Sequence, residues 1–180
     1  MIPKKPDKKG NVEYRLISDF RRLNKEVLEP EFPIPRVQEI LDDLKNATYF
    51  TSLDLYSGFS QLLIDPEDRE KLAFSNHSAH YNFKRLPFGL RSTPKIFVRL
   101  VANVLKNIPN VRVYIDDILI FSSDLKSHFI ALERVIQKLR EANLEIQINK
   151  CSFLKREFNL SGIQNFRKRR RNRPQKGRSY

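Results

Sequence analysis

Two adjacent carboxylates stand inside an apolar run, Val111-Arg112-Val113-Tyr114-Ile115-Asp116-Asp117-Ile118-Leu119-Ile120-Phe121. β-Branched and aromatic residues on either side favour extended chain, and Asp tolerates turn geometry, so the run predicts a hairpin with the acids at its bend. An isolated ionised carboxylate is expensive to hold in such surroundings. A compensating partner is needed, and a divalent cation is the best candidate. The turn and the ion are compatible, because a tight bend can aim two carboxylates at one site.

With 180 residues, 40% of them hydrophobic, the chain can bury a sizeable core. Its net charge of +13 favours a polyanionic partner, nucleic acid ahead of an anionic membrane surface. Eight of those charges fall from Arg167 onward, where no acid occurs, leaving +5 for the rest. The single cysteine, Cys151, excludes an internal disulfide and a thiolate zinc cluster. His77, His80 and His128 show no spacing that suggests a metal site. There is no run of eighteen apolar residues and no signal-peptide pattern, so a soluble intracellular protein is the default expectation.

Taken in order, Met1 to Gly10 reads as a basic turn between two extended pieces. Val12 to Arg22 alternates in a strand-like way and carries Arg15, Asp19, Arg21 and Arg22, a solvated surface or a holder for a triphosphate. Three prolines make Glu29 to Pro35 a linker, after which Val37, Ile40, Leu41 and Leu44 fall at helical spacing. Tyr49 to Leu55 reads as a strand, Tyr56-Ser57-Gly58 as a tight bend, and Phe59 to Ile64 as a second extended or helical piece. Asp54 is the one charge between Lys45 and Asp65.

Leu72 to Ser75 and Tyr81 to Arg85 predict a hairpin through Asn76-His77-Ser78, with Leu86 to Leu90 a connector. Ser92 or Thr93 before Pro94 marks a helix start, and Phe97, Leu100, Val101, Val104 and Leu105 form its apolar stripe. Ser122-Ser123-Asp124 caps a further helix with His128, Leu132, Val135, Ile136 and Leu139 on one face. Leu144 to Ile148 alternates as a strand. Helices interleaved with antiparallel hairpins make an α+β fold, with helices packed on one face of a small antiparallel sheet.

Asp54 and the pair Asp116-Asp117 each lie at the end of a strand-like run. If those strands are neighbours, three carboxylates converge, and an all-oxygen set suits magnesium or manganese better than zinc. Two such ions roughly 4 Å apart can activate a 3′-hydroxyl and stabilise a leaving pyrophosphate.

Tyr114-Ile115-Asp116-Asp117 resembles the Tyr-x-Asp-Asp box of reverse transcriptases. Upstream of it, in order, come Asp19-Phe20-Arg21-Arg22-Leu23-Asn24, Phe32-Pro33-Ile34-Pro35, Tyr49-Phe50-Thr51-Ser52-Leu53-Asp54-Leu55-Tyr56-Ser57-Gly58-Phe59 and Leu86-Pro87-Phe88-Gly89-Leu90. Together they resemble the polymerase region of gypsy-type long-terminal-repeat retrotransposons and their retroviral relatives, from Pro3 to about Glu157. The resemblance implies an RNA-directed DNA polymerase palm with partial fingers over residues 1–160, followed by a basic, disordered tail over 161–180. It implies two Mg2+ or Mn2+ ions, an RNA or DNA template with its primer, and deoxynucleoside triphosphates, with no membrane partner.

Carried over by position, Asp54, Asp116 and Asp117 become the metal-site carboxylates. Arg15 and Lys5 match the residues that grip the triphosphate, a task that suits a planar guanidinium. Phe59 falls where an aromatic crowds the sugar 2′ position, although ordinary core packing explains such a residue as well. Phe88 and Gly89 match the connector lining the nucleotide pocket, and Lys150 resembles a lysine beside the pyrophosphate that serves as general acid. Two departures stand out: Phe158 to Gly162 leaves the family's pattern, and Lys95 stands where a small residue is usual. The chain therefore reads as an incomplete polymerase fragment, with a catalytically inactive transposon remnant that binds nucleic acid through its charge as the alternative.

Overall fold

The computed structural model describes residues 2–3, 10, 12, 14–15, 17–28, 31–32, 37–160 and 163–166. In chain order these hold β1 (Ile2–Pro3), β2 (Tyr14–Arg15), α1 (Leu23–Glu26), α2 (Val37–Asp43), β3 (Tyr49–Asp54), β4 (Phe74–Ser75), β5 (His80–Tyr81), α3 (Thr93–Val104), β6 (Val111–Tyr114), β7 (Asp117–Ser122), α4 (Leu125–Glu141), β8 (Ser152–Lys155), β9 (Phe158–Leu160) and β10 (Ile163–Phe166). The fold is α+β. Its centre is a four-stranded antiparallel sheet in the order β6-β7-β3-β8. The basic tail from Arg167 lies outside the described residues, and the β9–β10 hairpin straddles residue 160.

Strand alternation explains both faces of this sheet. Leu53, Ile118 and Ile120 are buried with Phe97, Val98 and Val101 of α3 and Ala131, Val135 and Leu139 of α4. Phe50, Leu119 and Phe121 point the other way, onto Ile40 of α2 and Leu44 just beyond it. The two long helices thus share one face, as the sequence reading expects, and α2 covers the opposite one. Coverage on both sides is why Ile118 to Phe121 is apolar throughout rather than alternating.

Several local expectations shift. Between Val12 and Arg22 only Tyr14–Arg15 is a described strand, because Phe20 is drawn into a small core with Ile64, Leu72 and Leu90 and the chain then turns into α1. Ser92 makes no capping hydrogen bond to α3, whereas Asp124 accepts from Ser127 N–H at 2.9 Å and caps α4. On α4 the buried line is His128, Ala131, Val135 and Leu139, spaced three or four apart on one helical face, while Ile136 falls beside that line and is exposed. Leu144 to Ile148 forms a single bridge, Leu55 to Ile146, before a 3₁₀ turn at Ile148–Lys150. The strand that flanks β3 is β8, after Cys151.

His128 is fully buried and ties α4 to two strands. Ser122 Oγ–H donates to Asp124 O (2.9 Å), which leaves its oxygen to accept from His128 Nδ1–H (2.9 Å). His128 Nε2 then accepts from Thr51 Oγ1–H (2.7 Å), whose oxygen accepts from Leu154 N–H (3.2 Å). This chain needs the neutral ring, because an imidazolium would make Nε2 a donor and strand the Thr51 proton. Burial pushes the His128 pKa below its ordinary 6.5. Above pH 6.5 the network contributes fully; below it the unfolded chain takes up a proton that the folded chain resists, so stability falls. Urea unfolding is expected to show that acid-side loss, and His128→Leu to remove it while lowering stability at pH 7 by about 1–3 kcal/mol. An unchanged acid limb in the variant would contradict the assignment.

Candidate active site

The register of β3 against β7 sets the site. Phe50 faces Phe121, Ser52 faces Leu119 and Asp54 faces Asp117, all on one side of the sheet. The β6–β7 hairpin closes with Tyr114 opposite Asp117, leaving Ile115 and Asp116 as its two-residue turn. Ile115 has φ 51 and Asp116 is not in the positive region, the sign pattern of a type II′ turn. A β-branched residue there stores on the order of 1–3 kcal/mol of strain. The bend therefore holds Asp116 and Asp117 at the strand end where β3 delivers Asp54.

Like charges directly across a sheet repel. Burial raises the Asp54 pKa above its ordinary value; Lys150 opposes that rise, and the facing Asp117 carboxylate adds to it. Lys150 Nζ lies 3.8 Å from Asp54 Oδ1, with its own side chain 60% exposed and that of Asp54 only 28%. Sequence reading put Lys150 at a strand end; it sits instead in the 3₁₀ turn that passes beside Asp54. Among the described residues no three His, Cys, Asp or Glu side chains are drawn together tightly enough to hold an ion as they stand. The donor chemistry nevertheless fits a hard divalent cation: carboxylates brought to one strand end and repelling across it.

Backbone pairing anchors this end of β3. Gln147 N–H donates to Asp54 O at 2.8 Å, and Asp54 N–H donates to Cys151 Sγ at 3.4 Å. Burial raises the Cys151 pKa and keeps it a thiol. Nothing in the sequence pattern linked Cys151 to Asp54, since the contact spans 97 residues.

The other expected residues gather in two places. Phe59, in the 3₁₀ turn Gly58–Gln61, packs against Phe88 (5.4 Å between ring centres) and edge-on to Phe97 (5.2 Å). A Cβ on Gly58 would meet Phe97 Cζ at 2.6 Å, so this turn needs glycine to bring Phe59 onto the α3 face. Gly89 has φ 102, and a Cβ there would approach Ser18 O at 3.0 Å. Asn24, which the sequence reading quoted without a role, donates to Gly89 O and accepts from Arg91 N–H, both at 2.9 Å, pinning the connector to α1. Arg15 lies on β2, paired with Ile2; its side chain and all of Lys5 lie outside the described residues.

The family model described as "Reverse transcriptase (RNA-dependent DNA polymerase)" matches residues 2–165. The chain belongs to the reverse transcriptase family. Among its relatives, the retrovirus-related Pol polyprotein from transposon 297 of Drosophila melanogaster is 44% identical over 164 residues, 90% of this chain and 16% of that protein. The corresponding polyprotein from transposon gypsy of the same fly is 38% identical over 156 residues, 86% of this chain and 15% of that protein. A prototype foamy virus protease-reverse transcriptase structure superposes with TM-score 0.75 at 33% identity, covering 86% of this chain and 20% of that one. A foamy viral protease-reverse transcriptase with ds DNA gives 0.76 at 30%, covering 89% and 28%. This reverse transcriptase chain thus spans about one-sixth of the length of the fly polyproteins it matches.

Replacing one of two facing charges should relieve the strand end. Asp54→Asn is expected to raise stability in metal-free buffer at pH 7 by about 0.2–1 kcal/mol, read as a higher thermal midpoint with chelator present. A lower midpoint would contradict the repulsion inferred here.

Proposed function

We propose that this chain is the polymerase palm, with part of the fingers, of an RNA-directed DNA polymerase that adds deoxynucleotides to a primer 3′-hydroxyl. The observation that carries the reading is the in-register pair Asp54–Asp117, with Asp116 in the adjoining turn. In this reading Asp54, Asp116 and Asp117 hold two divalent cations, Mg2+ or Mn2+. When bound, these supply a lowered pKa for the attacking hydroxyl and neutralise charge on the triphosphate.

The chain's own residues position and protonate. Arg15 and Lys5 grip the triphosphate, and Phe88 and Gly89 line the nucleotide pocket. Phe59, backed by Phe88 and Phe97, crowds the 2′ side of the sugar and favours deoxynucleotides. The primer 3′-hydroxyl gives up its proton to solvent, and its O3′ forms a bond to the α-phosphorus as the bond from that phosphorus to the bridging oxygen breaks. The Lys150 ammonium, poised beside Asp54, gives its proton to the departing pyrophosphate. Foamy viral relatives have been solved with ds DNA and with an RNA/DNA hybrid, and a primed RNA or DNA template is the matching partner for this basic chain. Residues 1–160 form the polymerase unit in this account, and 161–180 a basic extension of it.

Primer extension by the full chain with Mg2+ or Mn2+ and deoxynucleotides tests the proposal. Synthesis is expected, with a loss of at least about 10²-fold in Asp116→Asn. No synthesis, or unchanged synthesis in the variant, would refute it. Phe59→Val should increase ribonucleotide incorporation relative to deoxynucleotide, measured with the same primer. An unchanged ratio would leave Phe59 a packing residue alone.

A further inference from the structure

The antiparallel pairing between the end of β3 and the loop after α4 is short. Tyr56 N–H donates to Glu145 O at 2.9 Å and Gln147 N–H to Asp54 O at 2.8 Å, on either side of the Leu55–Ile146 bridge. It ends there because Ser57 turns left-handed, φ 45, and the chain enters the Gly58–Gln61 turn. No further strand residue follows to pair with Glu145.

Gln61 takes that place. Its Oε1 accepts from Glu145 N–H at 2.8 Å, and its Nε2 donates to Tyr56 O at 2.5 Å and to Glu145 O at 3.0 Å. One amide supplies an acceptor to Glu145 N–H, a donor to Tyr56 O and a second donor to Glu145 O, joining positions 84 residues apart in sequence. Glutamate could accept from Glu145 N–H but would set an anionic oxygen against two carbonyls, and asparagine is one methylene too short. The turn bearing Gln61 is itself braced by Arg85, which donates to Gln61 O at 2.9 Å.

Phe59 lies in the turn that Gln61 ends, and the loop it grips carries Gln147, Lys150 and Cys151 to Asp54. We propose that Gln61 is a positioning residue: by bonding Tyr56 and Glu145 together it fixes Lys150 relative to Asp54 and links the turn under the nucleotide to the group that protonates pyrophosphate. This rests on the polymerase reading above. Gln61 touches neither substrate nor metal in this account, and its effect passes through the loop.

The test is a cycle in the full chain: Gln61→Glu and Gln61→Leu, each alone and combined with Lys150→Ala, in steady-state primer extension, with amide hydrogen exchange as a second readout. Each single Gln61 variant is expected to lower kcat on the order of 10- to 100-fold, with primer-template affinity held within about twofold. In the Lys150→Ala background the Gln61 substitutions should remove little more. Exchange at the Glu145 amide should quicken in Gln61→Leu, which leaves it no acceptor, and exchange at the Gln147 amide in both Gln61 variants. An equal loss in both backgrounds, an unchanged kcat, or unchanged exchange at Glu145 in Gln61→Leu would overturn the proposal while leaving the polymerase reading standing. Absence of synthesis by the unsubstituted chain would overturn that reading, and this proposal with it.

Discussion

The register between β3 and β7 is the constraint on which everything else depends. Pairing Tyr49 with Ser122 at one end requires Asp54 to meet Asp117 at the other. A slip of one residue would turn Leu53 and Ile118 out of the core and carry Asp54 to the wrong face, so burial of the apolar residues enforces the position of the acids. The fold spends core packing to hold two like charges together. A divalent cation received there, as proposed above, would offset that repulsion.

Around this pairing, three separate devices brace the same end of the sheet. The strained Ile115 turn holds Asp116 and Asp117; the Leu144–Cys151 segment pairs with the backbone of Asp54 and brings Lys150 alongside; the Gly58–Gln61 turn ties that segment, through Gln61, to the end of β3 and rests through Phe59 on Phe88 and Phe97. His128 performs a comparable task at the far end of β3, where Thr51 and Ser122 would otherwise be buried hydroxyls facing a helix. Polar groups in this small domain thus reinforce a register that apolar burial already sets.

Much of this was legible in the sequence, for identifiable reasons. The hairpin at Asp116-Asp117, the two long helices and the Asp124 cap follow from local patterns that a few neighbouring residues determine. The meeting of Asp54 with Asp117 was readable as a conditional, because both acids end apolar runs. What escaped was non-local. Gln61, Asn24 and Cys151 act on partners 65 or more residues away through one or two hydrogen bonds each, which leave no periodic trace. Leu144 to Ile148 alternates like a strand, yet Ser57 leaves it a partner for only one bridge. The face of α4 was misjudged at Ile136 because the buried line runs through Ala131, a weak apolar signal, rather than through the larger Ile136.

The most direct test of the central claim is to follow backbone amide resonances of the full chain as Mn2+ is added, since a bound paramagnetic ion broadens the nuclei nearest to it. The account predicts selective broadening at Asp54, Asp116, Asp117 and Lys150 that is lost when Asp54 and Asp116 are both replaced by asparagine. Broadening centred on any other part of the sheet, or none beyond that of the doubly substituted chain, would contradict it.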